Sequence, residues 1–277
     1  MRVLLVGGVR PAGIAAAHGL ADAGHAVTAL ARDHDSPPAR RLAEAASLVQ
    51  GRADQHDHVT HAAADADAVL AFTEGGGSDE LRQGDCLATA LDAADLDLAV
   101  YVSVGNADSR PGVPRVDAKA DIEERLAGDA TAAGRTDGID APVLVLRRHL
   151  PLSLLRESLV DGTFRPPLEP GVSATLTVDR DLGRFAAHAL AEPERFAGET
   201  VELANARETV PDLAGILEGV YGEPIDYEYA GPRAASPAES AFFRWVNEGG
   251  LAAGVDPDAL EKWGFAPTPL AEAVRDA

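Results

Sequence analysis

Residues 3–33 read VLLVGGVRPAGIAAAHGLADAGHAVTALARD: a short apolar run, a glycine-bearing turn, an alanine-rich stretch of helical period, and a second apolar run. This is the pattern of a βαβ unit, and it commits the chain to a parallel sheet whose first turn faces a ligand. Gly7 permits the tight turn, the amides opening the helix face a pyrophosphate, and Gly13 lets the helix approach the sheet. The spacing Gly7-Gly8-Val9-Arg10-Pro11-Ala12-Gly13 matches a G-x-x-G-x-x-G turn with Arg10 in place of its middle glycine. An arginine there sets the backbone further from the phosphates, or contacts them through its guanidinium.

Similar alternation continues to about residue 147. Periodicity predicts strands over 3–6, 26–31, 47–50, 68–72, 98–102 and 143–146, with helices over 12–23, 38–45, 56–64, 79–94 and 116–133. Most of the strands are continuous apolar runs, as expected when helices cover both faces of a sheet. Further on, a strand over 173–178 leads to a helix over 180–191. Another strand follows at 200–203, then helix 210–221, strand 225–229 and helices 238–248 and 270–274. The expected architecture is α/β: a Rossmann-type doubly wound parallel sheet with a small C-terminal α/β substrate lobe. Residues 1–148 form the dinucleotide domain, 173–205 return to it, and 149–172 with 206–277 form the lobe that carries the substrate or partner pocket.

Composition narrows the function. The formal net charge is -21, spread along the chain, which argues against nucleic acid and anionic lipid as partners. A hydrophobic fraction of 46% is enough for a packed core. With only two lysines, Lys119 and Lys262, the dispersed acidity resembles proteins of salt-accumulating halophiles. A single cysteine, Cys86, excludes an internal disulfide framework and a thiolate zinc site, and fits a reducing cytoplasm. Glycines interrupt the opening apolar run within a few residues, so neither export nor a membrane anchor is expected. His56, His58 and His61 have a metal-like spacing, but only His58 and His61 share a helical face, and a solvated surface is the better reading. No metal is therefore expected. Phe242, Phe243 and Trp245 read as core of the lobe, and Gly75-Gly76-Gly77 as a loop at the cleft.

Nucleotide preference is set at the end of the second strand, where an acidic residue holds a ribose 2′-hydroxyl and an arginine meets a 2′-phosphate. Arg32, with Arg40 or Arg41 nearby, favours NADP(H) over NAD(H), while Asp33 points the other way.

Beyond the turn, Val49-Gln50-Gly51-Arg52-Ala53-Asp54, the segment from Asp67 to Thr73, Val100-Tyr101-Val102-Ser103-Val104-Gly105, Asp117-Ala118-Lys119-Ala120-Asp121, Val178-Asp179-Arg180-Asp181 and Phe196-Ala197-Gly198-Glu199 follow in order. In these the chain resembles the NmrA-like proteins, an atypical branch of the short-chain dehydrogenase/reductases. The resemblance implies a nicotinamide dinucleotide held by Gly7, Gly8, Val9, Arg10, Pro11, Ala12, Gly13, Arg32, Asp54, Phe72, Thr73, Ser103, Lys119 and His149. Three departures stand out. Gly7-Gly8-Val9-Arg10 replaces Gly-Ala-Thr-Gly, Arg148-His149 replaces Pro-Gly, and Arg115 stands where typical members place a catalytic tyrosine four residues before the lysine.

Lys119 and Ser103 are the catalytic candidates. A lysine retained in a chain that otherwise avoids lysine can bond a ribose or protonate a carbonyl oxygen, and the Ser103 hydroxyl can polarise the same carbonyl. The expected function is NADP(H)-dependent oxidoreduction of a carbonyl or quinone by a cytoplasmic monomer or homodimer. The alternative is a non-catalytic NADP(H) sensor acting on a partner protein. A sugar-nucleotide epimerase-like enzyme is disfavoured by the missing tyrosine.

Overall fold

Every residue of the run AVLAF is buried, as a strand must be when helices cover both faces of its sheet. In the computed structural model, which describes residues 1–127, 139–231, 236–252 and 255–275, this run lies near the middle of the main sheet. The chain proceeds β1 (Arg2–Val6), α1 (Pro11–Asp22), β2 (Ala26–Ala31), α2 (Pro37–Leu42), β3 (Ser47–Gln50), α3 (His56–Ala63), β4 (Ala68–Phe72), α4 (Gly77–Asp92), β5 (Leu98–Val104), α5 (Pro114–Leu126) and β6 (Val143–Arg148). The second half adds β7 (Leu150–Pro151), α6 (Leu152–Glu157), β8 (Leu159–Val160), β9 (Thr163–Phe164), β10 (Ser173–Thr177), α7 (Asp179–Ala191), α8 (Pro193–Phe196), β11 (Thr200–Leu203), β12 (Ala206–Thr209), α9 (Val210–Tyr221), β13 (Asp226–Tyr227), α10 (Pro237–Asn247) and α11 (Leu270–Arg275).

Among the described residues seven strands, all parallel, form the main sheet in the order β11-β6-β5-β4-β1-β2-β3. The order reverses between β1 and β4, and an open α/β sheet offers its ligand crevice beside such a reversal. The fold is Rossmann-like, as the alternation predicts. The predicted helix over 116–133 is observed from Pro114 to Leu126, and residues 128–133 lie outside the described residues.

The strand expected at 173–178 does not join the main sheet. It pairs with β12 and β7 in a separate small sheet, whereas α7 and β11 rejoin the nucleotide-type layers. A second small sheet, β13-β9-β8, consists of two-residue strands; β13 lies within the strand expected at 225–229, whereas β8 and β9 have too few residues for a period to register.

Three apolar clusters hold these layers together. One lies between the sheet and α1 with α7, centred on Leu5, Leu20, Val102, Phe185 and Phe196. Another lies under α3, α4 and α5, and the third fills the C-terminal lobe around Phe164, Leu176, Leu217, Phe242 and Trp245. Helices α1 and α7 touch through glycine: a Cβ on Gly183 would lie 2.0 Å from the Ala16 carbonyl oxygen. Gly183→Ala must therefore push the two helices apart. Thermal denaturation should show a loss of about 2–3 kcal/mol, and an unchanged melting temperature would contradict this packing.

The buried Asp181 carboxylate ties the C-terminal segment to this frame. It accepts from the Thr268 amide and hydroxyl, both at 2.7 Å, and from Arg184 at 2.6 Å. Among the described residues no helix is long and apolar enough to cross a membrane.

Candidate functional site

The turn after β1 is built by close approach. Gly7 has φ +70, and a Cβ there would stand 2.2 Å from the Phe72 carbonyl oxygen at the end of β4. A Cβ on Gly13 would stand 2.4 Å from the Gly8 carbonyl oxygen. Arg10 has extended backbone, φ -159, at the N-cap of α1, so the middle glycine of the motif has no left-handed residue to replace. Its side chain folds along the turn, with Nε donating to the Gly7 carbonyl at 2.8 Å and a terminal nitrogen 2.6 Å from Glu74. Pro11 opens the helix without an N–H, no side chain caps its first turn, and no acidic residue lies in that turn. The amides of Ala12 and Gly13 thus remain open to an anion, whose charge the helix dipole favours. These residues fit the pyrophosphate of a dinucleotide.

Just past β2 Arg32 is exposed, and after the Arg52 hydrogen bond its charge also favours the ionised form of the Asp54 carboxyl. Asp54 pairs first with Arg52, at 2.6 Å. Asp33 is occupied locally, its carboxylate accepting from the Asp35 amide at 2.9 Å.

Where β4 and β5 end, the structure gathers a group that the sequence shows only in part. Lys119 Nζ lies 3.0 Å from Glu80 and donates to the Thr73 carbonyl and hydroxyl oxygens at 2.9 Å and to the Val102 carbonyl at 3.3 Å. Thr73 Oγ1 donates to Glu80 at 2.9 Å and lies 2.8 Å from the Tyr101 hydroxyl. The ammonium also sits 5.2 Å from the centre of the Tyr101 ring.

Burial lowers the Lys119 pKa to about 8; Glu80 opposes the shift, and the nearby Arg148 and Arg10 add to it. Burial also works against an ionised Glu80, yet the ammonium, Thr73 and the Gly76 amide outweigh it and hold the carboxyl below its ordinary range. Glu80 occupies the first turn of α4, where the helix dipole favours a carboxylate.

Glu80 and Tyr101 were not singled out from the sequence. Glu80 does carry a signal, because it falls on the apolar stripe with Gly84, Leu87 and Leu91, where a carboxylate needs a buried partner.

Ser103 is 1% exposed, and its hydroxyl has no hydrogen-bond partner among the described residues. His149 is fully enclosed. Its amide donates to Thr177, its ring packs where a Cβ on Gly105 would be, and Nε2 lies 3.0 Å from Glu202 without the alignment of a hydrogen bond. Phe72 and Thr73 are buried beneath the turn and in the lysine network, respectively. His56, His58 and His61 are exposed, and His58 Nδ1 accepts from the Arg52 amide at 3.2 Å. A cavity of about 1160 Å³ flanks α1 and α7, bordered by Pro11, Ser153, Arg156, Asp179 and Phe265.

The family model for the NmrA-like family matches residues 2–237. The chain belongs to the NmrA-like family. No curated protein matches it in sequence. Among solved structures it is similar to NmrA, a negative transcriptional regulator (TM-score 0.77, 15% identity, 100% of this chain and 95% of that one). It is also similar to an NADPH-dependent quinone oxidoreductase from Escherichia coli, complexed with NADPH (0.73, 20%, 100% and 99%). A third likeness is the triphenylmethane reductase of Citrobacter sp., complexed with NADP(H) (0.73, 22%, 100% and 100%). For an NmrA-like chain the lysine of α5 is in place, while Arg115, exposed one turn earlier, stands 4.7 Å over the Phe242 ring of α10.

Proposed function

We propose that this NmrA-like chain is a cytoplasmic NADP(H)-dependent oxidoreductase acting on a small carbonyl or quinone. The observation that carries the reading is the uncapped first turn of α1 beside Arg10, at the reversal of strand order. Arg32, with Asp33 tied into its own turn, supports the phosphorylated dinucleotide. The reductases of this fold complexed with NADPH or NADP(H) add to that support.

In this reading Gly7 to Gly13 hold the pyrophosphate, Arg32 the 2′-phosphate, Asp54 borders the adenine, and Ser103 and Lys119 face the nicotinamide end. Bound there, the dinucleotide supplies a hydride. Lys119, with a pKa of about 8, is poised near neutral pH to give a proton to the reduced oxygen, and the Ser103 hydroxyl orients it. The lobe of β7–β10, β12, β13 and α9–α11 encloses the substrate.

Two observations favour the second reading, a redox sensor. The three protons of Lys119 already meet four acceptors, and Arg115 replaces the tyrosine. Fluorescence titration separates the outcomes. NADPH should bind more tightly than NADH, Gly13→Val should abolish binding, and Arg32→Ala should reduce the preference for NADPH roughly tenfold. If neither dinucleotide binds, both readings fall. If NADPH binds and a panel of quinones and carbonyls leaves it unconsumed, the sensor reading stands.

A further inference from the structure

In a chain of net charge -21, the carboxyl ends of four neighbouring strands carry four cations. Arg10 follows β1, Lys119 reaches Thr73 beyond β4 and Val102 on β5, and Arg148 ends β6, in register with Val104. Arg115 precedes Lys119 by one turn of α5, on the same face. Carboxylates answer only some of this charge. Glu74 meets Arg10 at 2.6 Å and Glu80 meets Lys119 at 3.0 Å. Asp179 stands 3.9 Å from Arg148, beyond hydrogen-bond reach, and burial raises the pKa of that carboxyl. Arg115 has an aromatic ring under it and no carboxylate among the described residues within ion-pair distance.

Arg148 keeps 24% of its side chain exposed, and its guanidinium donates no hydrogen bond among the described residues. Burial lowers its pKa against the pull of Asp179, and Arg10 and Arg115 add to the lowering while Glu80 opposes it, so cations are held near one another here at a cost to the folded state. On the neighbouring strand β5 the Ser103 hydroxyl is buried without a hydrogen-bond partner among the described residues. A buried hydroxyl without a partner, and like charges held together, are tolerated where a ligand completes them.

We propose that Arg148 and Arg115 form a receptor for the carboxylate of the substrate, so that the compound reduced at this site is an anionic, carboxylate-bearing carbonyl rather than a neutral quinone. The inference rests on the oxidoreductase reading for its second half, while the receptor itself stands without it. A guanidinium with free donors binds a carboxylate through two parallel hydrogen bonds, which a neutral carbonyl compound cannot match. Arg10, already fixed to the turn, is left to the pyrophosphate.

Calorimetric titration with oxalate, and with oxamide as its neutral counterpart, tests the receptor on the chain alone and on the chain saturated with NADPH. Oxalate should bind in both forms and oxamide in neither. Arg148→Gln and Arg115→Gln should each weaken oxalate roughly tenfold or more, with the affinity for NADPH changed by less than about threefold. Arg115 is exposed, so its variant keeps the test open should Arg148→Gln fail to fold. Consumption of NADPH with benzoylformate should exceed that with its methyl ester, and Arg115→Gln should erase the difference.

Oxalate binding that is lost when NADPH is added would assign these arginines to the cofactor's phosphates and overturn the proposal. So would oxalate binding that neither variant weakens. Absence of NADPH binding with oxalate still bound would refute the oxidoreductase reading and leave the receptor standing.

Discussion

Lys119→Met is expected to destabilise the fold by about 3–5 kcal/mol, because it leaves Glu80, 2% exposed, as a buried carboxylate without its cation. In a chain of this size the melting temperature should fall by roughly 10 °C. The double variant Lys119→Met/Glu80→Gln should recover most of the loss, since the charge and its partner are then removed together. The pH dependence gives a second signature. In the native chain Lys119 titrates near 8, below its value in the unfolded state, so from about pH 8 to 10.5 the unfolded chain holds the extra proton. The cost of keeping this ammonium buried is thus fully present below pH 8 and relieved as the pH rises through that window. In Lys119→Met the slope in this window should disappear, and stability should instead recover on acidification as Glu80 takes up a proton. Denaturant titrations across pH check both. A single variant as stable as the parent at pH 7 would mean that the pair does not hold β4, β5 and α5 together.

Arg147→Met should cost about 3 kcal/mol, read as a lower urea midpoint with an unchanged slope. Arg147 is 12% exposed and grips Glu123 at 2.7 Å, Asp108 at 2.9 Å and Glu202 at 3.2 Å. Burial opposes this charge, but hydrogen bonding to Glu123 and the three carboxylates outweigh it and hold the guanidinium's pKa above its ordinary value. Removing it strands Glu123 and Glu202, which join α5 and the edge strand β11 to β6. Asp108 is 72% exposed and should contribute little. A stability loss below about 0.5 kcal/mol would show the cluster to be a solvated surface network.

These two arginine and lysine networks also show how far the chain could be read without its fold. The strands of the main sheet were legible because their apolar runs are continuous, a requirement of burial on both faces that needs no tertiary information. The 7–13 turn was legible for the same reason, since glycine spacing reports backbone approach directly. Lys119 stood out through its rarity. The short strands β7, β8 and β9 did not show, because two residues carry no period and owe their conformation to neighbours elsewhere in the chain.

The sequence by itself determined that this chain would wind into a parallel sheet with a tight glycine turn at its first crossover, because period, glycine placement and apolar runs are local properties of consecutive residues. Only the tertiary structure decided that Glu80 and Tyr101 close around Lys119, that Arg115 and Arg148 stand at the same strand ends, and that β10 leaves the main sheet. Those outcomes depend on which groups are buried against one another across intervals of tens of residues, where the free energy of desolvating a charge is fixed by its partner and not by its neighbours in the chain.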